Sequence, residues 1–208
     1  IGAGAITQVA HLPVLRKLKG VEVAAICDVD LPKARALADR FQVRDAFSDI
    51  EELLEYAKLD AIAICTPNHL HEPHAIAALS RGVHVLVERP LSLTAAGAQR
   101  ILRQAEMRNV ILMVGMNHRY RADVQIVRSF VPSGELGKVE SVRGSWHVFR
   151  PSRAQLGWRQ RRDEAGGGAM LDLGQAVLDL GLWLANSPTP IRVSASLHGG
   201  EGNRTVEH

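Results

Sequence analysis

Residues 1–30 read IGAGAITQVAHLPVLRKLKGVEVAAICDVD, and this stretch decides the fold. Near its start, the segment GAGAIT at residues 2–7 has the pattern of a tight turn between a strand and a helix. Residues 21–27, VEVAAIC, predict a second strand, and this strand ends at the carboxylate of Asp28. Strand end, glycine turn, helix, strand and acid follow one another in the order of a β-α-β unit that binds a dinucleotide.

The residue types of this unit each suit one part of a dinucleotide. Gly2 permits the tight turn, Gly4 lets the backbone approach a pyrophosphate, and free amides at the helix start face the phosphates. Asp28 would accept hydrogen bonds from the adenosine ribose, and its charge repels the 2′-phosphate of NADP, so NAD is the predicted cofactor. Thr7 stands where a third glycine or an alanine is usual. Two alternatives stay open here: a glycine turn that binds no nucleotide, and a site for S-adenosylmethionine.

Composition limits the class of protein. The chain has 208 residues, 46% of them hydrophobic, and a formal net charge of +3, which is ordinary for globular domains. No apolar run reaches the roughly 18 residues of a membrane helix, and the mild charge gives no reason to expect nucleic acid. Cys27 and Cys65 indicate small buried thiols in a reducing compartment, so we expect a cytoplasmic protein. Ile1 falls inside a strand pattern, and we expect the chain to be trimmed at both ends.

Alternating strand and helix patterns continue to about residue 120. Nearly continuous apolar runs predict strands at residues 59–65, 83–87 and 110–114, each covered on both faces. The predicted helices span residues 6–18, 31–41, 73–81 and 94–108, and one more begins at a capping box, residues 48–51. This alternation predicts an α/β fold with a doubly wound parallel sheet, a Rossmann domain of residues 1–120.

Polar loops follow three of these strands at their carboxyl ends, where open parallel sheets bind ligands. The sequence reads TPNHLH after Cys65, ERP after Val87 and GMNHRY after Val114. With the glycine turn, these loops are predicted to line one cleft. The histidines of the first loop have a spacing found in some zinc sites, but the sequence offers no convincing distant partner, so no metal site is predicted.

The pattern changes near Asp123, where a second domain of residues 121–208 is predicted. Residues 139–149 alternate between apolar and polar side chains, as a half-exposed antiparallel strand does, and residues 191–197 predict another strand. An apolar helix is predicted at residues 170–185. This pattern indicates a partial α+β domain.

A basic loop surrounds Trp158 in the second domain. Its arginines are Arg150, Arg153, Arg159, Arg161 and Arg162. Trp158 and Arg159 are candidates for a substrate wall that stacks on or clamps an acidic or phosphorylated sugar. Contact with nucleic acid and, for most of these arginines, a solvated surface loop are the alternatives.

Several short motifs occur along the chain: Gly2-x-Gly4 with His11-Leu12-Pro13, Cys27-Asp28-Val29-Asp30, Thr66-Pro67-Asn68 with His71, Glu88-x-Pro90, and Gly167-Gly168 with Asp172-x-Gly174 and Asp179. Taken together, these motifs resemble the Gfo/Idh/MocA oxidoreductases, which include glucose-fructose oxidoreductase and inositol dehydrogenases. The resemblance implies a Rossmann domain followed by an open antiparallel sheet that often serves oligomerisation, and a full length well beyond this chain. It also implies hydride transfer between nicotinamide and a hydroxyl carbon of a sugar, polyol or derivative, in a homo-oligomer.

Cleft and resemblance together predict the site residues. The predicted cofactor-binding residues are Gly2, Gly4, Ala5 and Ile6 at the pyrophosphate, Asp28 at the adenosine ribose, Thr66, Pro67, Asn68, His71 and Glu88 at the nicotinamide ribose, and Asn117 beside the cofactor. Arg89 is predicted to orient the substrate oxygen, and Asp172 to be the polar group at the site of hydride transfer.

Two positions depart from the family pattern in the catalytic half. Arg89 stands where the family usually has a lysine, and a guanidinium with a pKa above about 12 does not readily exchange a proton. Ala176 stands where the family usually has a catalytic histidine. Asp172 therefore remains as the candidate acid–base group, and His118, His147 and His71 are further candidates.

The depleted catalytic half leaves a second function open. The alternative is a nucleotide-binding sensor or scaffold of the same fold that has lost turnover. A Rossmann methyltransferase would explain the glycines and Asp28, but it leaves Glu88-x-Pro90 and the helix that carries Asp172 without a purpose.

Overall fold

The chain divides into two units, Ile1–Gly115 and Met116–His208, in a computed structural model. The residues that it describes are 1–56, 58–135, 137–149 and 157–196. The domain boundary at residue 120 and the role of the second domain in substrate binding or oligomerisation remain predictions.

Short parallel strands form the sheet of the first unit. They are β1 (Ala25–Cys27), β2 (Asp45–Phe47), β3 (Ala61–Ile64), β4 (His84–Val87) and β5 (Leu112–Val114). β1 pairs with β2, while β4 pairs with β3 on one side and with β5 on the other, all in parallel. Strand β2 was missing from the sequence prediction, because its three residues, DAF, are too short to show a pattern.

Ile1 and Gly2 join the two groups of strands. The amino nitrogen of Ile1 donates to the carbonyl of Ala63 at 2.6 Å, and the carbonyl of Ile1 accepts from the amide of Cys65 at 2.8 Å. On the other side, the amide of Gly2 donates to the carbonyl of Cys27 at 2.7 Å. The strand order is therefore β2, β1, Ile1–Gly2, β3, β4, β5, which confirms the predicted doubly wound sheet. Its order reverses beside the glycine turn, where such sheets bind ligands.

Helices connect the strands of this unit. They are α1 (Leu12–Leu15), α2 (Leu31–Phe41), α3 (Ile50–Tyr56), α4 (His71–Ser80) and α5 (Ala95–Arg108), and a π-helical turn, Thr7–His11, precedes α1. Asp30 caps α2 by accepting from the amide of Lys33 at 3.1 Å, and Thr94 caps α5 in the same way. At α3 the capping carboxylate belongs to Asp49 rather than to the capping box at Ser48, because Asp49 accepts from the amides of the first turn.

Two clusters of apolar side chains form the core of the first unit. The larger one contains Ile64, Leu79, Val87 and Ile101, which have no exposed surface. The smaller one packs α2 against β1, and its buried members are Ala3, Leu12, Ile26, Ala34, Leu37, Ala38 and Val43. Full burial of one such aliphatic side chain stabilises the fold by about 1.5–3 kcal/mol. The core therefore holds the strand ends that carry the polar loops.

The second unit is helical over much of its described length. Its elements are a 3₁₀ turn (Asn117–Tyr120), α6 (Ala122–Ser133), a 3₁₀ turn (Gly157–Gln160), α7 (Arg162–Ala165), a π-helical turn (Met170–Gly174) and α8 (Gln175–Leu184). An ion pair between Arg119 and Asp179 ties the first turn to α8, with Arg119 Nε 2.8 Å from Asp179 Oδ2.

The antiparallel strands predicted for this unit are not strands in the structure. Residues 139–149 and 191–196 lie in neither helix nor strand, while residue 197 and the arginines Arg150 and Arg153 fall outside the described residues. Alternating side chains predict an extended chain with one apolar face, but a strand also needs backbone hydrogen bonds to a neighbour. The described part of the chain supplies no such neighbour here. Several apolar side chains of these segments are accordingly exposed, Phe149, Ile191 and Val193 among them.

Within the described residues, the structure contains no helix that is both long enough and apolar enough to span a membrane.

Candidate functional site

The glycine turn brings the backbone close to the end of β3. Gly2 has a φ of +88°, and a Cβ on it would lie 2.6 Å from the carbonyl oxygen of Cys65, so only glycine fits there. Gly4 has the opposite surroundings, because a Cβ on it would meet no atom within 4 Å. The turn therefore packs on one side and is open on the other, as a backbone cradle for a ligand requires.

Thr7 replaces the third glycine of the motif without opening the turn. Its hydroxyl is buried and donates to the carbonyl of Gly2, which closes the loop on itself. Ala5 and Ile6, between them, are exposed and precede the π-helical turn. Amides at the start of a helix have no partner within the helix, so this turn presents donors where a pyrophosphate would lie.

Asp28 stands at the tip of β1, directly beside the glycine turn. Its Oδ2 accepts from the amide of Ala3 at 2.7 Å and from the ammonium of Lys33 at 3.1 Å, and its Oδ1 accepts from the amide of Asp30 at 3.0 Å. Burial acts to raise the pKa of Asp28, but the hydrogen bonds from Asp30, Ala3 and Lys33 outweigh it and hold the pKa below its ordinary value. Each carboxylate oxygen offers about two lone pairs, so Oδ1 can still accept a ribose hydroxyl.

His71 ties the loop after β3 to the loop after β4. Its ring has 1% of its surface exposed, with Nδ1 2.6 Å from the carbonyl oxygen of Pro90 and Nε2 2.9 Å from that of Thr66. Asn68, between these contacts in the chain, is also buried. The first unit thus brings Thr66, Pro67 and Asn68 together with the Glu88-x-Pro90 loop. His71 thereby links the two loops through the carbonyl groups of Thr66 and Pro90.

Glu88 forms an ion pair with His11, which the sequence analysis left without a role. His11 Nε2 lies 2.7 Å from Glu88 Oε1, and the two side chains are 18% and 26% exposed. The hydrogen bond with Cys65, followed by the one with Glu88, raises the pKa of His11 to about 10 against the effect of burial. His11 follows Thr7 by one helical turn, so helix periodicity alone would place it on the same face as the buried Thr7.

These residues fit a dinucleotide. The open turn at Gly4 lies at the switch point of the sheet, and the carboxylate at Asp28 lies one hydrogen bond away from it through Ala3. The ion pair of His11 with Glu88 and the loop that contains Thr66 follow on the β3 and β4 side of the switch point. The predicted residues at the pyrophosphate, the adenosine ribose and the nicotinamide ribose are therefore brought together within one unit.

The second unit carries the predicted catalytic carboxylate. Asp172 lies in the π-helical turn before α8, with 28% of its side chain exposed, and Arg159 Nε is 3.9 Å from its Oδ1. The guanidinium of Arg159 stacks over the ring of Trp158 at 4.3 Å. The structure therefore brings Trp158 and Arg159 together with Asp172, as a substrate wall would require.

Two residues of α8 near Asp172 in sequence, Gln175 and Ala176, differ in their capacity to bind a substrate or exchange a proton. Ala176 is 3% exposed and supplies no proton, so the position of the usual histidine is filled by buried methyl surface. The side-chain oxygen of Gln175 is buried and has no hydrogen-bond partner in the described part of the chain. An acceptor of this kind can bind a substrate hydroxyl or a water molecule.

The remaining predicted residues take other positions. Arg89 is half-buried in the loop after Glu88, in the first unit, whereas Asn117 is exposed and starts a 3₁₀ turn of the second unit. Among the further candidates for proton transfer, His118 packs edge-on against Trp146 with the ring centres 4.7 Å apart, and His147 is exposed.

Of the histidines near Thr66, His71 and His74 have hydrogen-bond partners, whereas Nδ1 of His69 is buried without one in the described part of the chain. His74 Nδ1 is 3.4 Å from the hydroxyl of Thr66, and burial above all lowers the pKa of His74 to about 4. Among the residues that the structure describes, no group of three or more His, Cys, Asp or Glu side chains could hold a metal ion.

A separate cavity of about 390 Å³ opens at the amino end of β1. Arg16, Val21, Phe41 and Val43 are among the residues that line it. Open parallel sheets bind their ligands at the carboxyl ends of the strands, so we do not assign the nucleotide to this cavity.

Family models match nearly the whole chain. The model described as "Oxidoreductase family, NAD-binding Rossmann fold" (GFO_IDH_MocA) matches residues 1–116, and the "GFO/IDH/MocA C-terminal domain" matches residues 124–208.

Several characterised proteins are similar to this chain. The 1,5-anhydro-D-fructose reductase of Ensifer adhaerens is 31% identical over 209 residues, which are 100% of this chain and 62% of the relative. The D-glucoside 3-dehydrogenase of Escherichia coli K12 is 29% identical over 204 residues, 94% of this chain and 55% of the relative. The chain thus spans little more than half the length of these two relatives.

Solved structures share the fold. The structure of GenD2 from gentamicin A biosynthesis, in complex with NAD, matches with a TM-score of 0.87 at 29% identity and covers 99% of this chain and 58% of its own. A levoglucosan dehydrogenase in complex with NADH and levoglucosan matches with a TM-score of 0.77 at 26% identity, over 88% of this chain and 52% of its own.

Proposed function

The chain belongs to the Gfo/Idh/MocA oxidoreductase family, and from this premise we propose that it is an NAD-dependent oxidoreductase acting on a hydroxyl carbon of a sugar, a polyol or a derivative. The observation that carries the proposal is the geometry at the switch point of the sheet. There the open turn at Gly4 and the carboxylate of Asp28 are linked through the amide of Ala3. The named relatives act on sugar-type substrates, which supports this substrate class.

The residues of the first unit would hold the cofactor. Amides at Gly4, Ala5 and Ile6 would donate to the pyrophosphate, and Asp28 would accept from the adenosine ribose. The loops with Thr66, Pro67, Asn68 and His71, together with Glu88, would surround the nicotinamide ribose, and Asn117 would lie beside it. When bound, nicotinamide would supply the acceptor or donor of hydride.

The residues toward the substrate would handle its oxygen and its proton. Arg89 keeps a positive charge and would orient the substrate oxygen through its guanidinium hydrogens. Asp172 would accept the hydroxyl proton during oxidation and return it during reduction. Trp158 and Arg159 would form a wall of the substrate site, and this role is supported by the contacts of Arg159 with Asp172 and with the ring of Trp158.

A tryptophan-to-nucleotide fluorescence titration with NADH and, separately, with NADPH tests the cofactor part of the proposal. We expect NADH to bind more tightly, because the Asp28 carboxylate repels a 2′-phosphate. Oxidation of a panel of polyols and sugars with NAD⁺ then tests the reaction. A folded protein that binds neither nucleotide would contradict the proposal.

A nucleotide-binding sensor or scaffold is the second candidate, and the buried Ala176 favours it. Arg89→Lys is the clean discriminator, since Lys restores the residue usual in the family at a half-buried position. A gain in kcat after this substitution would indicate a weakened enzyme, and turnover that stays absent would favour the sensor. Ala176→His is a poorer test because a histidine overpacks this buried position, at a cost of about 1–3 kcal/mol.

We further propose a cytoplasmic homo-oligomer. Cys27 and Cys65 are free thiols, which suits a reducing compartment. The exposed apolar side chains of residues 139–149 and 191–196 support a protein–protein contact through the second unit. Light scattering of the full-length protein would test the oligomer, and a monomer at micromolar concentration would contradict it.

A further inference from the structure

His11 and Glu88 form an ion pair on the β3 and β4 side of the switch point. His11 Nε2 holds Glu88 Oε1 at 2.7 Å, and the other carboxylate oxygen lies over Gly115, where a Cβ would come within 3.2 Å of it. The amide of Glu88 is fixed on the carbonyl of Ile64 at 2.9 Å. The backbone of Glu88 is therefore anchored on β3, and its carboxylate lies between His11 and the backbone of Gly115 at the end of β5.

The charges of the pair cancel while His11 is protonated. The titratable groups that act on His11 are the thiol of Cys65 and the carboxylate of Glu88, and their hydrogen bonds raise the pKa of His11 to about 10. Near neutral pH the pair therefore consists of an imidazolium and a carboxylate. Without the imidazolium, a single negative charge would remain in this half of the cleft.

The two redox forms of the cofactor differ by one charge, and that charge is on the nicotinamide ring. NAD⁺ carries a cationic ring and NADH a neutral one, so a lone carboxylate nearby attracts the first more strongly than the second. A paired carboxylate has little such effect, because its field is cancelled at short range.

We propose that His11 is a positioning residue that neutralises Glu88 and thereby sets the relative affinity of the site for NADH and NAD⁺. The inference rests on the proposed function, since it requires NAD in this cleft. His11, for which the sequence predicted no role, would thus help to determine whether the site prefers NADH or NAD⁺. Neutralisation keeps NADH from being disfavoured, which matters for an oxidoreductase that must bind both forms.

Calorimetric titration of the full chain with NAD⁺ and with NADH measures the ratio of the two dissociation constants, Kd(NADH)/Kd(NAD⁺). At pH 8, His11→Gln leaves the carboxylate of Glu88 unpaired, and we expect the ratio to rise about 3- to 10-fold. The double variant His11→Gln/Glu88→Gln carries neither charge. Its ratio is expected to return to within about twofold of the unmodified protein, because the intact pair is neutral as well.

A second variant removes the opposite charge. At pH 6, Glu88→Gln leaves the imidazolium of His11 unpaired, and the ratio is expected to fall about 3- to 10-fold, in favour of NADH. This arm keeps the inference testable if His11→Gln does not fold.

The outcomes separate the inference from the proposed function. If both dissociation constants change in parallel and the ratio stays constant in every folded variant, the pair is merely structural and the inference is overturned. If the unmodified protein binds neither nucleotide, the proposed function fails and the inference fails with it. Opposite shifts in the two single variants, with recovery in the double variant, would support it.

Discussion

Two π-helical turns lie among the described residues, one before α1 and one before α8, and the contacts of their side chains differ in length. In the turn Thr7–His11, Thr7 donates to the carbonyl of Gly2 and His11 is paired with Glu88. In the turn Met170–Gly174, Asp172 is 3.9 Å from Arg159, and the neighbouring Gln175 has a buried oxygen without a partner in the described residues. π-Helical turns inside α-helices are frequent at functional sites.

This difference indicates which residues are held in position before a ligand binds. The proposed contacts to the cofactor, except that of Asn117, come from the first unit, where hydrogen bonds of 2.6–3.1 Å hold the side chains of Asp28, His71 and Glu88. The proposed chemistry on the substrate depends on Arg89 and on Asp172, whose ion pair with Arg159 has a length of 3.9 Å. We therefore expect substitutions in the first unit to affect folding and nucleotide affinity, and substitutions around Asp172 to affect turnover.

The strongest test of this contrast is Asp172→Asn. Asparagine keeps the shape of the side chain but cannot accept a proton, so kcat is expected to fall about 100- to 10,000-fold with little change in the Kd for NADH. Steady-state kinetics and fluorescence titration measure the two quantities. Asp163→Asn, at an exposed position of α7, is the matched control and should keep its kcat. Unchanged turnover in Asp172→Asn would remove Asp172 from the mechanism.

Substitutions of Gly2 and Gly4, two residues of one turn, are expected to affect different properties: the stability of the fold at Gly2 and nucleotide binding at Gly4. Gly2→Ala introduces a Cβ 2.6 Å from the carbonyl oxygen of Cys65 at a φ of +88°. It is expected to lower the free energy of unfolding by about 2–4 kcal/mol. Gly4→Ala meets no atom within 4 Å, so it should leave the melting temperature nearly unchanged and weaken NADH binding. Equal melting temperatures for the two variants would contradict the geometry of the turn.

Asp28→Ala tests whether the first unit determines the preference for NADH over NADPH. Loss of the ribose acceptor is expected to raise the Kd for NADH about 10-fold, roughly the energy of one charge-assisted hydrogen bond. The ammonium of Lys33, now 3.1 Å from Asp28 Oδ2, would lose its partner and become available to a 2′-phosphate. The preference for NADH over NADPH should therefore narrow. Asp30→Ala, which removes only the cap of α2, is the control and should keep that preference.

The smallest expected effect is a pH dependence of stability from His11. Its pKa is raised to about 10 in the folded protein, against an ordinary value of about 6.5. The stabilisation is therefore fully present below about pH 6.5 and is lost as the pH rises through about 10. Urea unfolding of the unmodified protein and of His11→Gln should give a difference in free energy that is larger at pH 6 than at pH 10.5. A difference independent of pH would mean that the ion pair adds no stability.

Local pattern was enough to predict most elements of the first unit. The apolar runs and the helix patterns predicted α2, α4, α5 and the strands β3, β4 and β5 close to their observed bounds. The prediction was wrong for the antiparallel strands of residues 139–149 and 191–196. A strand depends on its hydrogen-bonded neighbour, which lies far away in sequence, whereas a helix completes its hydrogen bonds within its own segment.

The sequence by itself determined the α/β class, the parallel order of the first unit and the family, because glycine spacing, buried apolar runs and polar strand ends are local features with one consistent outcome. Only the tertiary structure decided which groups meet. It paired His11 with Glu88, which are 77 positions apart in the sequence. It placed Thr7, at the position of the third glycine, so that its hydroxyl donates a hydrogen bond to the carbonyl of Gly2. It also buried Ala176 where a histidine is usual. Partners distant in the chain are fixed by packing and charge in three dimensions, and no periodicity along the sequence encodes them.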